Sequence, residues 1–219
     1  RMEATAPPNA EPLFGKPWRL LAAVLLVALA LRAAILFTGQ RYLRSDEAVV
    51  GLMAKHILTR GERPIFLYGQ AYGGGHAIGA YITAPLFALF GRSAVLLTGV
   101  PAALSLVNVA LVWHIMRRYF GVRVAAVAAF LYSLSPPAVY GAFLVNGGTE
   151  SACLALLALR FFLRAYLDEE RPRLNMAAAG ILAGLAYYAM DYALLYPLVF
   201  GALLVVAKGP KRQLLFVLV

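Results

Sequence analysis

Apolar residues fall in long blocks broken by short polar or basic punctuation. The first block runs from Trp18 to Thr38, which matches the roughly 20 residues a helix needs to cross a bilayer. Further apolar segments run over 94–116, 122–140, 147–166, 175–190 and 192–207. The first block could be a signal peptide, but Arg32 interrupts it and no small-x-small cleavage pattern follows, so it reads as a retained span. The last two segments are long for one span and short for two, and two spans place Asp191 at the turn between them.

The stretch of about 39–93 has a different pattern, mixed in polarity, and reads as the first outer loop. Ser45 suits a helix N-cap and Gly61 a stop, so 46–60 is predicted to be a short amphipathic helix. An extended piece, Glu62 to Gln70, follows, and then Tyr72-Gly73-Gly74-Gly75. The run His76 to Phe90 is apolar but only about 15 residues long and contains Gly79 and Pro85, which suits a helix lying along the membrane surface better than a crossing. Residues 1–17, rich in Pro and Ala, read as a disordered cytoplasmic tail.

Composition narrows the class. Of 219 residues, 62% are hydrophobic and 14% charged, and the mean hydropathy is +0.76. A soluble domain averages about 45–50% apolar and about 25% charged. The predicted fold is therefore all-α: a polytopic transmembrane helical bundle of about six spans whose long first loop carries a pair of juxtamembrane helices. The single cysteine, Cys153, excludes an intrachain disulfide. The chain begins at Arg1 and ends inside an apolar run, Leu214 to Val219, so residues 18–219 are read as one transmembrane domain truncated at its C-terminus.

Net charge is +10. No basic helix or aromatic-studded basic sheet accompanies it, so nucleic acid is not an expected partner. The basic residues instead cluster between spans, at Arg117, Arg118 and Arg123, at Arg160, Arg164, Arg171 and Arg173, and at Lys208, Lys211 and Arg212. If 76–90 lies on the surface, these clusters and the N-terminal Lys16 and Arg19 share one side, as positive-inside bias requires.

That topology sorts the acids. Asp46, Glu47, Glu62, Glu150 and Asp191 fall on the outer side. Asp46 and Glu47 occupy a first helical turn, where acids complement the helix dipole. The same placement keeps a carboxylate ionised and able to accept a hydroxyl proton. Glu150 opens a later span behind Asn146-Gly147-Gly148-Thr149, with an ordinary Thr149-capped start as the bland reading. Arg41, Arg44, Lys55, Arg60, Arg63 and Arg92 put positive charge on the outer side. They either reach for lipid phosphates or cradle an anionic phosphate, with Arg32 reaching up from the first span. In the stretch 68–76, Tyr68, Gln70, Tyr72 and His76 offer sugar stacking and phosphate contact, against a simple glycine-rich turn as the alternative. A lone histidine is a weak metal signal, and no HExxH, paired CxxC, Walker A or GxSxG pattern occurs.

The order of motifs carries a resemblance. A first span is followed by Arg44-Ser45-Asp46-Glu47-Ala48, then a Pro-containing extended piece with Tyr-Gly-Gln-x-Tyr, then Phe90-Gly91. Next come Arg117-Arg118-Tyr119-Phe120-Gly121 and Leu134-Ser135-Pro136. Over roughly 18–210 this resembles the N-terminal half of GT-C-type membrane glycosyltransferases, the family-39-like superfamily of protein mannosyltransferases and lipid A aminoarabinose transferases.

The resemblance implies transfer of a sugar from a polyprenyl-phosphate donor to an extracytoplasmic hydroxyl on a lipid, polysaccharide or protein, with inversion. It implies an outward-facing site in a membrane of the bacterial plasma (inner) membrane kind. Asp46 takes the place of the essential carboxylate, with Glu47 beside it and Glu150 as a second acidic position. Arg44, Lys55, Arg63, Tyr68, Gln70, Tyr72, His76, Asp191 and Arg32 form the expected substrate-binding set. No cofactor is firmly implied, and a divalent cation stays open. The rival classes are a membrane transporter or lipid flippase without glycosyl transfer, and a non-catalytic membrane scaffold.

Overall fold

The computed structural model describes residues 16–38, 44–69 and 77–206. Among the described residues there are nine α-helices, one 3-10 turn and no strand. The helices are α1 (Pro17–Thr38), α2 (Ser45–Arg60), α3 (Ala77–Phe90), α4 (Ala94–Phe120), α5 (Val122–Leu134), α6 (Pro136–Gly141), α7 (Gly148–Tyr166), α8 (Pro172–Ala189) and α9 (Leu195–Val206). The 3-10 turn is Asp191–Leu194.

The helix boundaries follow local chemistry. α2 stops at Gly61, whose φ of 65° is the left-handed conformation that glycine adopts without penalty. Its start differs by one residue from the sequence expectation, since the N-cap is Arg44 and Ser45 is already helical. The reason is Glu47, whose Oε2 accepts the Arg44 backbone N–H at 3.1 Å and closes the first turn. The apolar segment 122–140 divides into α5 and α6 at Ser135, which is extended (ψ 135°) because Pro136 bars it from helical geometry. The long segment 175–207 divides at Met190, also extended, directly before Asp191. α3 spans 14 residues, about 21 Å at 1.5 Å per residue, too short for a hydrocarbon core of about 30 Å.

Only α1 and α4 are long and apolar enough to cross a membrane on their own length and composition. α7 has the length of a span but carries Glu150, Arg160 and Arg164. Around α1 the apolar surface is left open. Leu26, Val27, Leu29 and Phe37 are exposed, while Val24, Ala28 and Arg32 are buried. Exposed apolar surface on that scale suits lipid rather than water.

Among the described residues three large apolar cores, and a smaller one of Ala155, Ala186 and Ala193, hold the bundle. One joins α2, α3 and the start of α4 through Val50, Met53, Ala80, Phe87 and Leu97. A second joins α1, α4 and α5 through Ala28, Trp113 and Ala129. The third joins α4, α7, α8 and α9 through Ile115, Phe162, Ala183 and Phe200. Alanines dominate the α7–α8 seam, where small side chains let helix backbones approach closely.

Candidate active site

The first turn of α2 gives its adjacent acids opposite fates. Glu47 is buried and spends its carboxylate on the Arg44 backbone N–H. Asp46 is exposed, and among the described residues its carboxylate has only the 3.4 Å contact from the Ser45 hydroxyl. One turn further along, Val50 packs against Gly79 of α3, and so does the second expected acid. A Cβ at Gly79 would stand 3.1 Å from Glu150 Oε1, 3.7 Å from Val50 Cγ1 and 3.9 Å from Val145 Cγ1. Thus α2, α3 and the start of α7 converge around Glu150, which is buried with neither carboxyl oxygen hydrogen-bonded among the described residues. Such a group costs on the order of 1–3 kcal/mol if left unpaired.

The turn before α7 is tightly tied. Gly147 has a φ of 80° and its missing Cβ would fall 2.3 Å from the Ala189 carbonyl oxygen. The Ser151 hydroxyl donates to the Ala186 carbonyl at 2.9 Å, fastening the same seam. Thr149 does not cap its own helix as the sequence suggested, because its hydroxyl donates to the Gly141 carbonyl at 2.8 Å. The Asn108 side chain on α4 donates to the Thr149 carbonyl at 3.3 Å.

These contacts border a cavity of about 350 Å³ whose polar lining includes Ser105, Asn108, Tyr140, Asn146, Thr149 and Tyr192. Two expected cations connect to it. Arg44 donates to the Tyr140 hydroxyl, with its guanidinium carbon 5.7 Å from that ring's centre. Arg32, buried inside the bundle, donates to the Ser105 hydroxyl at 2.6 Å and to the Ala28 and Ser133 carbonyls at 3.2 Å. Its Nη2 has no partner among the described residues. Asp191 is exposed at the start of the 3-10 turn and accepts the Tyr192 N–H at 2.8 Å, and the Tyr192 hydroxyl lies against Gly148.

Other expected residues stand apart. Lys55 is exposed, nine residues beyond Asp46, and about 100° per residue puts it on the opposite face of α2. Arg63 is exposed in the extended segment after α2. Tyr68 is occupied locally. Its hydroxyl donates to Glu62 and lies 3.3 Å from His56 Nδ1, and His56 lies 3.6 Å from Glu62. Burial first, and then the Glu62 carboxylate, push the Tyr68 phenol up to about 12. The Tyr68 hydrogen bond in turn holds the Glu62 carboxyl below its ordinary range. Tyr188 of α8 donates to the Ile65 carbonyl and pins the same segment. Gln70, Tyr72 and His76 lie outside the described residues. No three His, Cys, Asp or Glu side chains gather to hold a metal ion among the described residues.

Sequence reasoning passed over Asn108, Tyr140 and Tyr192, and noted Gly79 only as an interruption of a short apolar run. Tyr140 and Gly79 sit in apolar runs where nothing local marks them as part of a site. Asn108 was the better signal, being a lone amide in the middle of a span, where polar groups need a specific partner.

Comparison with known families adds what geometry alone does not. No curated protein and no solved structure matches the chain. A family model described as dolichyl-phosphate-mannose-protein mannosyltransferase matches residues 77–218. The match begins at the first turn of α3, so it takes in Glu150 and the cavity, while α2 with Asp46 precedes it. Over the greater part of its length, then, the chain belongs to the dolichyl-phosphate-mannose-protein mannosyltransferase family of GT-C-type membrane glycosyltransferases.

Proposed function

We propose that the chain transfers a sugar from a polyprenyl-phosphate donor to an acceptor hydroxyl on the outer side of the membrane, with Asp46 as general base. The observation that carries the assignment is the division of labour at the start of α2. Glu47 is committed to the backbone, and Asp46 is the exposed carboxylate of that turn.

In this reading Asp46 takes the proton of the acceptor hydroxyl as its oxygen attacks the anomeric carbon. The bond from that carbon to the phosphate oxygen breaks with its electron pair, leaving polyprenyl phosphate and an inverted glycoside. The leaving phosphate needs charge stabilisation rather than a proton. Arg44, two residues before Asp46 and bonded to Tyr140 of the polar cavity's lining, is the cation to supply it. Glu150, unpaired behind Gly79, serves as the second acidic position. The isoprenoid tail lies between spans and the surface helix α3. Residues 18–219 act as one transferase unit of about six crossings in a bacterial inner membrane, with α2 and α3 on the outer face. The acceptor is a lipid, polysaccharide or protein.

A lipid flippase without glycosyl transfer is the second reading. The observation on its side is Arg32, an ionised group buried inside the helices with one nitrogen unpartnered. Asp46→Asn in the full-length protein separates the two. Sugar transfer from lipid-phosphate donors is expected to fall by at least about 10²-fold, the lower end of a general base's contribution, with helix content unchanged. Unimpaired transfer would remove Asp46 from the role of base. Lipid translocation by a wild type that transfers no sugar from a broad donor panel would favour the flippase.

A further inference from the structure

The far ends of α4 and α7 form a second polar feature that the proposed chemistry does not use. His114, Arg117 and Arg118 recur at i, i+3 and i+4 on one face of α4, and Arg160 and Arg164 at i, i+4 on α7. With Tyr119 they line a cleft of about 420 Å³. Arg164 is 14 residues beyond Glu150 on the same helix, about 21 Å away along its axis. The cleft is therefore remote from the carboxylates.

Its charges are only half compensated. Arg118 pairs with Asp168 at 2.8 Å, and Arg164 with Glu170 at 2.5 Å. The guanidinium groups of Arg117 and Arg160 have no ion pair or hydrogen bond among the described residues. Positive-inside bias accounts for basic residues at this end, but it does not require them to face one another across a cleft, where like charges repel. Ile115, from the apolar core, and Tyr119 share the lining with these cations. An anion that brings its own apolar body fits both halves of that description.

We propose that this cleft binds the headgroup of an anionic phospholipid, its phosphate held between Arg117 and Arg160. Arg118 and Arg164, fixed by their carboxylates, shape the walls. The acyl chains lie along α4 and α7 in the inner leaflet, where basic clefts between spans meet acidic lipids. The site is independent of the transfer reaction and does not rest on Asp46.

The test uses the purified full-length protein in detergent, mixed with equal amounts of phosphatidylglycerol and phosphatidylcholine and read by native mass spectrometry for retained lipid. Wild type is expected to retain one phosphatidylglycerol with at least fivefold preference. The double variant R117Q/R160Q is expected to lose that preference, while R117K/R160K and K16Q/R19Q, whose residues lie outside the cleft lining, keep it. Equal retention of both lipids by wild type, itself independent of any variant's folding, would overturn the proposal. So would an undiminished preference in R117Q/R160Q, or its loss in K16Q/R19Q. Inorganic phosphate at equal concentration is expected not to compete. Displacement by it as effective as by added phosphatidylglycerol would point to a soluble phosphate instead and reject the lipid.

Discussion

Single residues decide the site through what they omit as much as what they present. At Gly147 a side chain is barred twice, by a φ of 80° and by an Ala189 carbonyl 2.3 Å from where Cβ would stand. Forcing a non-glycine residue into such geometry costs about 1–3 kcal/mol before the clash is counted. Gly147→Ala is thus expected to lower the thermal denaturation midpoint of the detergent-solubilised protein by several degrees. An unchanged midpoint would show that the seam is looser than its spacing implies. By contrast Gly61, with φ 65° and nothing within 4 Å, carries only the conformational penalty. Sequence alone identified Gly61 as a stop because its partners are local. It marked Gly79 only as a break in an apolar run, because the partner that matters, Glu150, is 71 positions away and on another helix.

Elements were legible where their boundaries are written in adjacent residues. The acidic first turn of α2, the short length of α3 and the break at Asp191 all follow from local pattern. The division at Ser135 was obscured because an apolar run continues across it, although Pro136 marked the place. Pairings between elements were not legible. Arg44 with Tyr140 and Arg32 with Ser105 join positions 96 and 73 residues apart, and one sequence contains no record of such distances. The extended segment after α2 shows how an element is held by its own electrostatics. Tyr68 lowers the Glu62 carboxyl's affinity for protons, so this contact stabilises the segment above the ordinary carboxylate range near pH 4.3 and fades as pH falls through the lowered value. Tyr68→Phe removes that bond. Amide exchange over 62–69 is expected to be faster in the variant at about pH 7, with the two proteins converging under acid sufficient to protonate Glu62. A difference that persisted unchanged in acid would mean that ring packing on His56, at 5.8 Å between centres, holds the segment instead.

At the scale of the whole molecule, the chain is an integral membrane glycosyltransferase by family and by its apolar helices. Its polar features gather at opposite ends of α7, the unpaired Glu150 at one and the cleft of Arg117 and Arg160 at the other. We propose from charge bias that the arginine end faces the cytoplasm. With Cys153 replaced by Ala, a membrane-impermeant maleimide applied to intact cells is expected to label Arg63→Cys. It should reach Arg171→Cys only after permeabilisation. The reverse pattern would invert the topology and remove the outward-facing acceptor site. The number of crossings was less legible than the class. Hydrophobicity announces a membrane chain at once, but α5 and α9 are 13 and 12 residues long, and length alone does not say how such short helices share the bilayer.

The bare backbone contact between Gly147 and Ala189 has a mechanical consequence. Close backbone approach there, with the Ser151 hydroxyl bridging the same seam, leaves little slack between the head of α7 and the tail of α8. If the donor comes to Glu150 as proposed, room for it has to open on the side of α2 and α3, where Gly79 makes the contact.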